Sequence, residues 1–402
     1  MVRDGSRPVA GVRELNRTRV LDALRVHGEL THTGIVEATR LSPGTVSSIV
    51  RELRAADLVD AVPGSDRRKV TLRLSRKAGI AVGVDFGHEH VRVAITDLGH
   101  RILAEADQRA DVDHDADAGM TLAVKMVEAL LGEVGADADE VVGVGVGLPA
   151  PIDAETRTVG SSSIMPDWVG TQPEARLSQA LGLPVVVDND ANLGALAEHM
   201  WGAGRGVRDL VYLKLSSGVG AGLLLDGSVY HGAGGLAGEI GHTVVAEGGP
   251  LCRCGGRGCL ETFVGGDALL ALATPRAGCG LTLPQLVDRA LAGDRGSARV
   301  IADAGRLLGR AVGNLCNLID VRTVVVGGPL ARAGDLLFDE MRGELRRVLV
   351  PALSRDTTVV ASELGERAQV RGAVALVLNE THRFTAVTAA APTAPAASAR
   401  GA

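Results

Sequence analysis

The sequence predicts an α/β protein in two parts: a small helical N-terminal module, then a larger body of two lobes that mix strands and helices. Three observations predict it. Residues 1–77 carry 15 Lys and Arg against 9 Asp and Glu, or +6, so the whole-chain charge of −6 leaves −12 for the remainder. The module shows helical apolar periodicity, whereas from residue 79 the pattern changes to strands punctuated by glycine. The strand-rich start also occurs twice, at GIAVGVDFG (79–87) and at DLVYLKLSSGVGAGLLLDGSVYHG (209–232). A chain of 402 residues, 46% of them apolar, exceeds one ordinary domain. It lacks a run of 18 apolar residues, and the opening MVRDGSRPVAGVREL has no secretion signal, so a cytoplasmic protein without membrane partners is expected.

In the module, NRTRVLDALRVHGELTHTGIVEATRLSPGTVSSIVRELRAADLV (16–59) divides into three short helical patterns. The third opens on Ser42 as N-cap and Pro43 as first helical residue, and Val46, Ile49, Val50 and Leu53 recur at helical spacing. That stripe must pack on the earlier helices, which leaves Thr45, Ser47, Ser48, Arg51 and Arg54 on the opposite face. Short hydroxyls at a helix start with guanidinium groups further along suit the major groove of DNA, as in a helix-turn-helix. Next, LVDAVPGSDRRKVTLRL (58–74) gives two alternating runs around a turn tipped by Arg67, Arg68 and Lys69, a basic wing. The basic balance of the module fits a polyanion partner at this end only, double-stranded DNA. A helical bundle for protein contacts with a solvated hairpin is the alternative reading.

In the body, GIAVGVDFG and HVRVAITDLGHRILAEADQR (90–109) read as strands, followed by a helix near 117–134 and the strand VVGVGVGLPAP (141–151). PVVVDNDANLGALAEHMWGAG (184–204) reads as a strand that ends at a carboxylate cluster and passes directly into a helix. After the second strand-rich start come helical segments, then the strand VRTVVVGGPL (321–330) before another helix. The expected organisation is a DNA-binding module at 1–77 and a body at 78–383, with a ligand cleft between its lobes. Lobe one spans about 78–205 plus a C-terminal helix, lobe two about 206–365, and FTAVTAAAPTAPAASARGA (384–402) is a disordered tail.

Four segments then carry a resemblance: LAGEIGH (236–242), CRCGGRGCLE (252–261), DNDAN (188–192) and SSGVGAG (216–222), all behind a winged helix. Together they resemble the ROK family, named for repressors, open reading frames and sugar kinases, over roughly residues 13–380. The resemblance implies a two-lobed, actin-like, hexokinase-type fold. It also implies that Glu239, His242 and Glu261 line a sugar pocket completed by Asn189 and Asp190 from the other lobe, chemistry suited to hydroxyl recognition. Solvated charges on loops are the bland alternative.

The cysteine-rich segment has its own physical reading. Five cysteines, an odd number with three between 252 and 259, argue for metal or free thiols over a disulfide framework. Cys252, Cys254 and Cys259 with His242 make a Cys3His set suited to a closed, tetrahedral structural zinc, worth on the order of 10 kcal/mol in ordering its loop. Free thiols remain the other possibility. Cys279 and Cys316 fall outside the set and read as ordinary buried residues.

Asp190 matches the base that takes the hydroxyl proton in the family's kinases. The phosphate loops point elsewhere. Family kinases carry a first loop of the form DxGGT, whereas this chain has Asp85, Phe86, Gly87, His88 and Glu89. A histidine crowds the approach that glycine permits, and a glutamate there sets negative charge against the terminal phosphate. The second loop has Ser216 and Ser217 where kinases have Gly and Thr, although Ser217, Gly218 and Gly220 keep some phosphate-loop character; Gly327 and Gly328 match a nucleotide-side pair. The expectation is a sugar-responsive, DNA-binding transcription regulator of the repressor type, acting on carbohydrate metabolism genes and sensing a sugar or sugar phosphate. It would act as a homodimer or dimer of dimers, lobe closure altering the spacing of two DNA-binding heads. The alternative is an active ATP- and magnesium-dependent sugar kinase with an appended DNA-binding head.

Overall fold

Three helices and a three-stranded sheet form the N-terminal module in the computed structural model, which describes residues 9–63, 70–160, 165–277 and 280–390. Helices α1 (Val9–His27), α2 (His32–Thr39) and α3 (Pro43–Ala55) surround a short strand β1 (Glu29–Thr31) and a hairpin of β2 (Val59–Pro63) and β3 (Val70–Leu74). The Ser42 side chain accepts from the Thr45 amide at the start of α3, and Val46, Ile49, Val50 and Leu53 are its buried residues, as the periodicity predicts. All pairings in the small sheet are antiparallel, in the order β1-β3-β2. Strand β1 is too short to leave a pattern in sequence. Arg67, Arg68 and Lys69 lie outside the described residues, as does Cys279.

A 3-10 turn over Arg76–Ala78 leads straight into β4 (Ile80–Phe86), so no loose linker separates module from body. The first sheet continues with β5 (His90–Asp97), β6 (Ile102–Arg109), β7 (Val141–Leu148) and β8 (Val185–Asn189), in the order β6-β5-β4-β7-β8. Helix α4 (Ala116–Glu133) covers it, α5 (Pro173–Leu181) precedes β8, and α6 (Asp190–Trp201) follows β8 directly. Its core includes Val84, Phe86, Val144, Val146 and a fully buried Trp168.

The second sheet repeats this plan. Strands β9 (Leu210–Leu215), β10 (Val219–Leu225) and β11 (Ser228–Val229) form an antiparallel meander, and β12 (Thr323–Gly327) and β13 (Thr358–Ala361) add in parallel, in the order β11-β10-β9-β12-β13. Short α7 (Glu261–Val264), then α8 (Gly266–Ala277), α9 (Leu283–Leu291), α10 (Arg295–Ile319), α11 (Asp335–Val348) and α12 (Pro351–Ser354) belong to this half. Each sheet therefore joins a three-strand meander to two parallel crossover strands, which is the repeated, actin-like arrangement.

Helix α13 (Ala368–Ala390) returns to the first half and packs on α6, β4 and β7. It runs through 384–390, which the sequence reading assigned to a disordered tail. The extension is understandable: between Phe384 and Ala390 there is no glycine or proline, and the first proline beyond is Pro392. Two packings tie the parts together. Glu198 of α6, fully buried, accepts from the Ser362 hydroxyl and from the amides of Ala203, Glu363 and Leu364, so its carboxylate binds α6 to the loop after β13. Val20 and Leu24 of α1 share one apolar cluster with Leu98, Val374, Val377 and Leu378, so the module's core is continuous with the body's.

Candidate functional site

Strand β8 delivers Asn189 and Asp190 to the rim of a cleft between the two sheets. Asn189 is the N-cap of α6: its Oδ1 accepts from the Ala191 amide at 2.9 Å and its Nδ2 donates to the Ala150 carbonyl at 3.2 Å. Opposite stand Glu239 and His242, on the 3-10 turn that follows β11, and Glu261 at the start of α7. Asn189, Asp190, Glu239, His242 and Glu261 all line one cavity of about 370 Å³, together with His88, Lys214, Arg253 and Cys254. Burial raises the Glu239 carboxyl pKa, with His242 opposing and Glu261 and Asp190 adding to it.

The carboxylates of this cleft are engaged. Lys214 donates to Asp190 Oδ2, with both side chains largely buried, at 17% and 6% exposure. Burial alone would lower the Lys214 pKa, but Asp190 and Asp85 together raise it, which holds the ammonium charged. Arg253 Nε donates to Glu261 Oε1 at 2.7 Å, while Glu261 Oε2 accepts from the Val219 amide at 3.1 Å. Sequence reasoning missed Lys214. Its signal was a lone charge within LVYLKL, where strand alternation places it on the Tyr212 side of β9, the side on which α6 packs. Asp188, just before the cleft residues, is also bridged: His231 from the second half donates to it at 2.7 Å, and Asp188 raises the His231 pKa.

At the first phosphate loop, Asp85 is buried at the end of β4 and takes a 3.3 Å contact from His90 Nε2. A Cβ at Gly87 would stand 2.1 Å from the His90 ring, so the imidazole fills the space over that glycine. His88 lines the cleft and pairs with Asp113 at 3.0 Å. Glu89, expected to confront the terminal phosphate, is exposed and does not line the cleft. Two histidines, His88 and His90, stand at this loop.

In the second loop Gly218 and Gly220 line the cleft, and Gly218 has no room for a Cβ beside the Glu261 carboxylate, 2.4 Å away. The Ser217 hydroxyl is buried without a hydrogen-bond partner. Gly327 and Gly328 do not line the cleft. A Cβ there would collide with the Tyr212 hydroxyl and the Leu215 carbonyl, so both glycines lie tight against β9.

Beside the cleft, the donor atoms of His242, Cys252, Cys254 and Cys259 all lie within 4.8 Å of one another. Cys254 Sγ stands 3.7 Å from Cys259 Sγ, and His242 Nδ1 stands 3.5 Å from Cys252 Sγ. A tetrahedral zinc with the usual bond lengths has sulfur–sulfur edges of about 3.8 Å and nitrogen–sulfur edges of about 3.6 Å, so the set fits such an ion. The loop folds this tightly because Gly258, at φ +67°, has no Cβ, which would otherwise stand 1.6 Å from the Ala246 carbonyl. With Nδ1 turned to the cysteines, His242 Nε2 faces Glu239, 3.7 Å away. Cys316 is buried, as expected, in the core of the second half.

On α3, Ser47, Ser48, Arg51 and Arg54 are exposed and Thr45 half-buried, with the apolar stripe turned inward. The Ser47 hydroxyl reaches His32 Nε2 of α2 at 2.9 Å, another contact the sequence did not show. No helix among the described residues is long and apolar enough to cross a membrane.

Comparison with known proteins gives the same division. A ROK family model matches residues 81–380, and a MarR family model matches residues 14–69. The chain is 26% identical over 390 residues to the xylose repressor of Caldicellulosiruptor bescii, covering 93% of this chain and 98% of that protein. It is 31% identical over 310 residues to the glucokinase of Thermotoga maritima, covering 74% and 96%. Among solved structures, a ROK family transcriptional regulator described as a homologue of the Escherichia coli Mlc protein superposes with a TM-score of 0.75 at 25% identity, covering 94% of this chain and 98% of that one.

Proposed function

The chain belongs to the ROK family, and on that premise we propose that it is a sugar-responsive DNA-binding repressor whose kinase-like cleft is a receptor. The likeness to the xylose repressor spans head and body alike, and the MarR-type winged helix supplies the DNA-binding part. Exposed Ser47, Ser48, Arg51 and Arg54 on α3 contact the operator, and the basic wing tip adds phosphate contacts. The protein acts as a homodimer in the cytoplasm, its two heads reading a two-fold operator of carbohydrate genes.

Asn189, Asp190, Glu239, His242 and Glu261 hold the hydroxyls of a sugar or sugar phosphate. The Cys3His set holds zinc, which when bound fixes the loop that carries the pocket. His242 Nε2 then remains protonated and donates toward Glu239 or a sugar hydroxyl.

The observation that carries the receptor reading is the Lys214–Asp190 pair. A general base must accept a proton from the substrate hydroxyl, and a carboxylate held by a buried ammonium is a poor acceptor. His90 over Gly87 removes room for phosphate as well. The likeness to a glucokinase keeps ATP-dependent phosphorylation of a hexose as the competing reading. The deciding experiment is ATP turnover with magnesium over a panel of hexoses, with Asp190→Asn as control. Background turnover in both proteins, together with sugar-dependent thermal stabilisation, is expected. Turnover that vanishes in Asp190→Asn would make the protein a kinase.

A further inference from the structure

We propose that α6 mechanically couples the cleft to the DNA-binding head, and that His100 is the positioning residue through which α6 holds α1. The inference rests on the receptor reading above and assigns the route by which the cleft governs the head.

Helix α6 begins at the cleft, with Asn189 as its cap and Asp190 as its first residue, and ends at Trp201. Twelve residues at about 1.5 Å each make a rod of about 18 Å. Every residue from Asp190 to Glu198 is buried, and Glu198 accepts from Ser362, Glu363 and Leu364, so the helix and the loop after β13 move together as a unit.

At its far end the Trp201 indole N–H donates to His100 Nδ1 at 2.9 Å, the rings meeting edge to face at 5.2 Å. His100 Nε2 is bonded to the backbone carbonyl of Arg25, in the last turn of α1. An indole nitrogen only donates and a carbonyl only accepts, so the two partners fix one neutral tautomer, with the proton on Nε2. The Arg25 carbonyl is one of those a helix end leaves without an intrahelical partner, and His100 caps it from the body.

The contact has little slack. His100 adopts φ +70° in the turn between β5 and β6. Gly28, just past α1, is also at φ +70°, and a Cβ there would stand 2.7 Å from His100 Nδ1. The imidazole is therefore wedged between the end of α1 and the end of α6. A ligand that draws Asn189 and Asp190 toward the second half shifts Trp201, and the wedge passes that shift to the head. Cleft and head are joined along one helix about 18 Å long, and coupling between two such sites usually changes affinity about 5–150-fold.

The test uses the full chain, a DNA duplex selected by this protein from a random-sequence pool, and D-glucose, D-xylose and N-acetylglucosamine as sugars. DNA affinity is measured with and without saturating sugar in the wild type, Trp201→Phe, His100→Leu and His100→Gln. The wild type should show a sugar effect of at least about 5-fold. Trp201→Phe, which keeps the ring but loses the N–H, and His100→Leu should reduce that effect below about 2-fold, leaving sugar affinity without DNA and DNA affinity without sugar little changed. His100→Gln, able to accept and donate, should restore part of it. In a Trp168→Phe background Trp201 is the remaining tryptophan, and its emission should change on sugar addition. Variants that keep the full sugar effect, or Trp201 emission indifferent to bound sugar, would overturn the coupling while leaving the receptor reading intact. A wild type that binds no sugar in the panel or its phosphates would overturn both.

Discussion

Lys214→Met, Asp190→Asn and the double variant form a cycle that measures the ion pair on which the receptor reading stands. The two side chains are 17% and 6% exposed and in direct contact. Unit charges at about 3 Å with an effective dielectric of about 20 attract by about 5–6 kcal/mol before desolvation is subtracted. Removing one partner strands the other in the cleft, which costs about 3–5 kcal/mol in comparable buried pairs, whereas removing both strands nothing. Each single variant should therefore lose about 3 kcal/mol, and the double variant no more than about 3 where independent losses would sum to about 6. The assay is urea unfolding followed by circular dichroism, comparing midpoints at a common slope. Losses that add within about 0.5 kcal/mol would show that Lys214 and Asp190 do not sense each other, and the argument against a free base at Asp190 would fall.

Three further predictions concern other parts of the molecule. Cys254→Ser should lose one zinc per chain by metal analysis and weaken sugar binding at least about 10-fold, since the ion orders the loop bearing His242 and Glu261; full sugar affinity in metal-free protein would separate ion from pocket. Replacing Arg51 and Arg54 by Ala should lower the slope of log affinity against log salt by about 0.9 per lost phosphate contact, or about 1.8 for both, and an unchanged slope would remove them from the DNA face. The His231 pKa is raised by Asp188, so the stabilisation from this pair is fully present below the unfolded value of about 6.5 and fades as pH rises through the raised folded value. The thermal midpoint gap between wild type and His231→Gln should therefore be widest near pH 6 and close at alkaline pH, and a gap independent of pH would show that the pair does not titrate.

What the sequence disclosed was whatever is encoded locally. The α3 stripe, its Ser42 cap, the strand that ends at Asn189 and the Cys3His set each sit within a short window whose spacing carries the geometry. The contacts that decide the chemistry are not local. Lys214 and Asp190 are 24 residues apart and meet because β9 packs beneath α6. His90 reaches Asp85 across a turn whose importance lies in the ring filling Gly87. Gly327 and Gly328, which match a nucleotide-side pair, also give clearance for Tyr212 and Leu215, because glycine in sequence reports a close approach without saying to what. The wedge at His100 joins residues 25, 100 and 201, which share no window at all.

The continuity of the head's core with the body bears on anyone who wishes to exchange operator specificities between such regulators. Cutting after residue 77 would expose Val20 and Leu24, whose neighbours Leu98, Val374, Val377 and Leu378 remain on the other fragment. A transplanted head would arrive with the wrong footprint beneath it, and burying a few misfit aliphatic side chains costs about 1–3 kcal/mol each. Chimaeras that carry the matching residues of α13 and the β5–β6 turn along with the head should fold and respond, while simple head swaps should bind DNA weakly and ignore the effector.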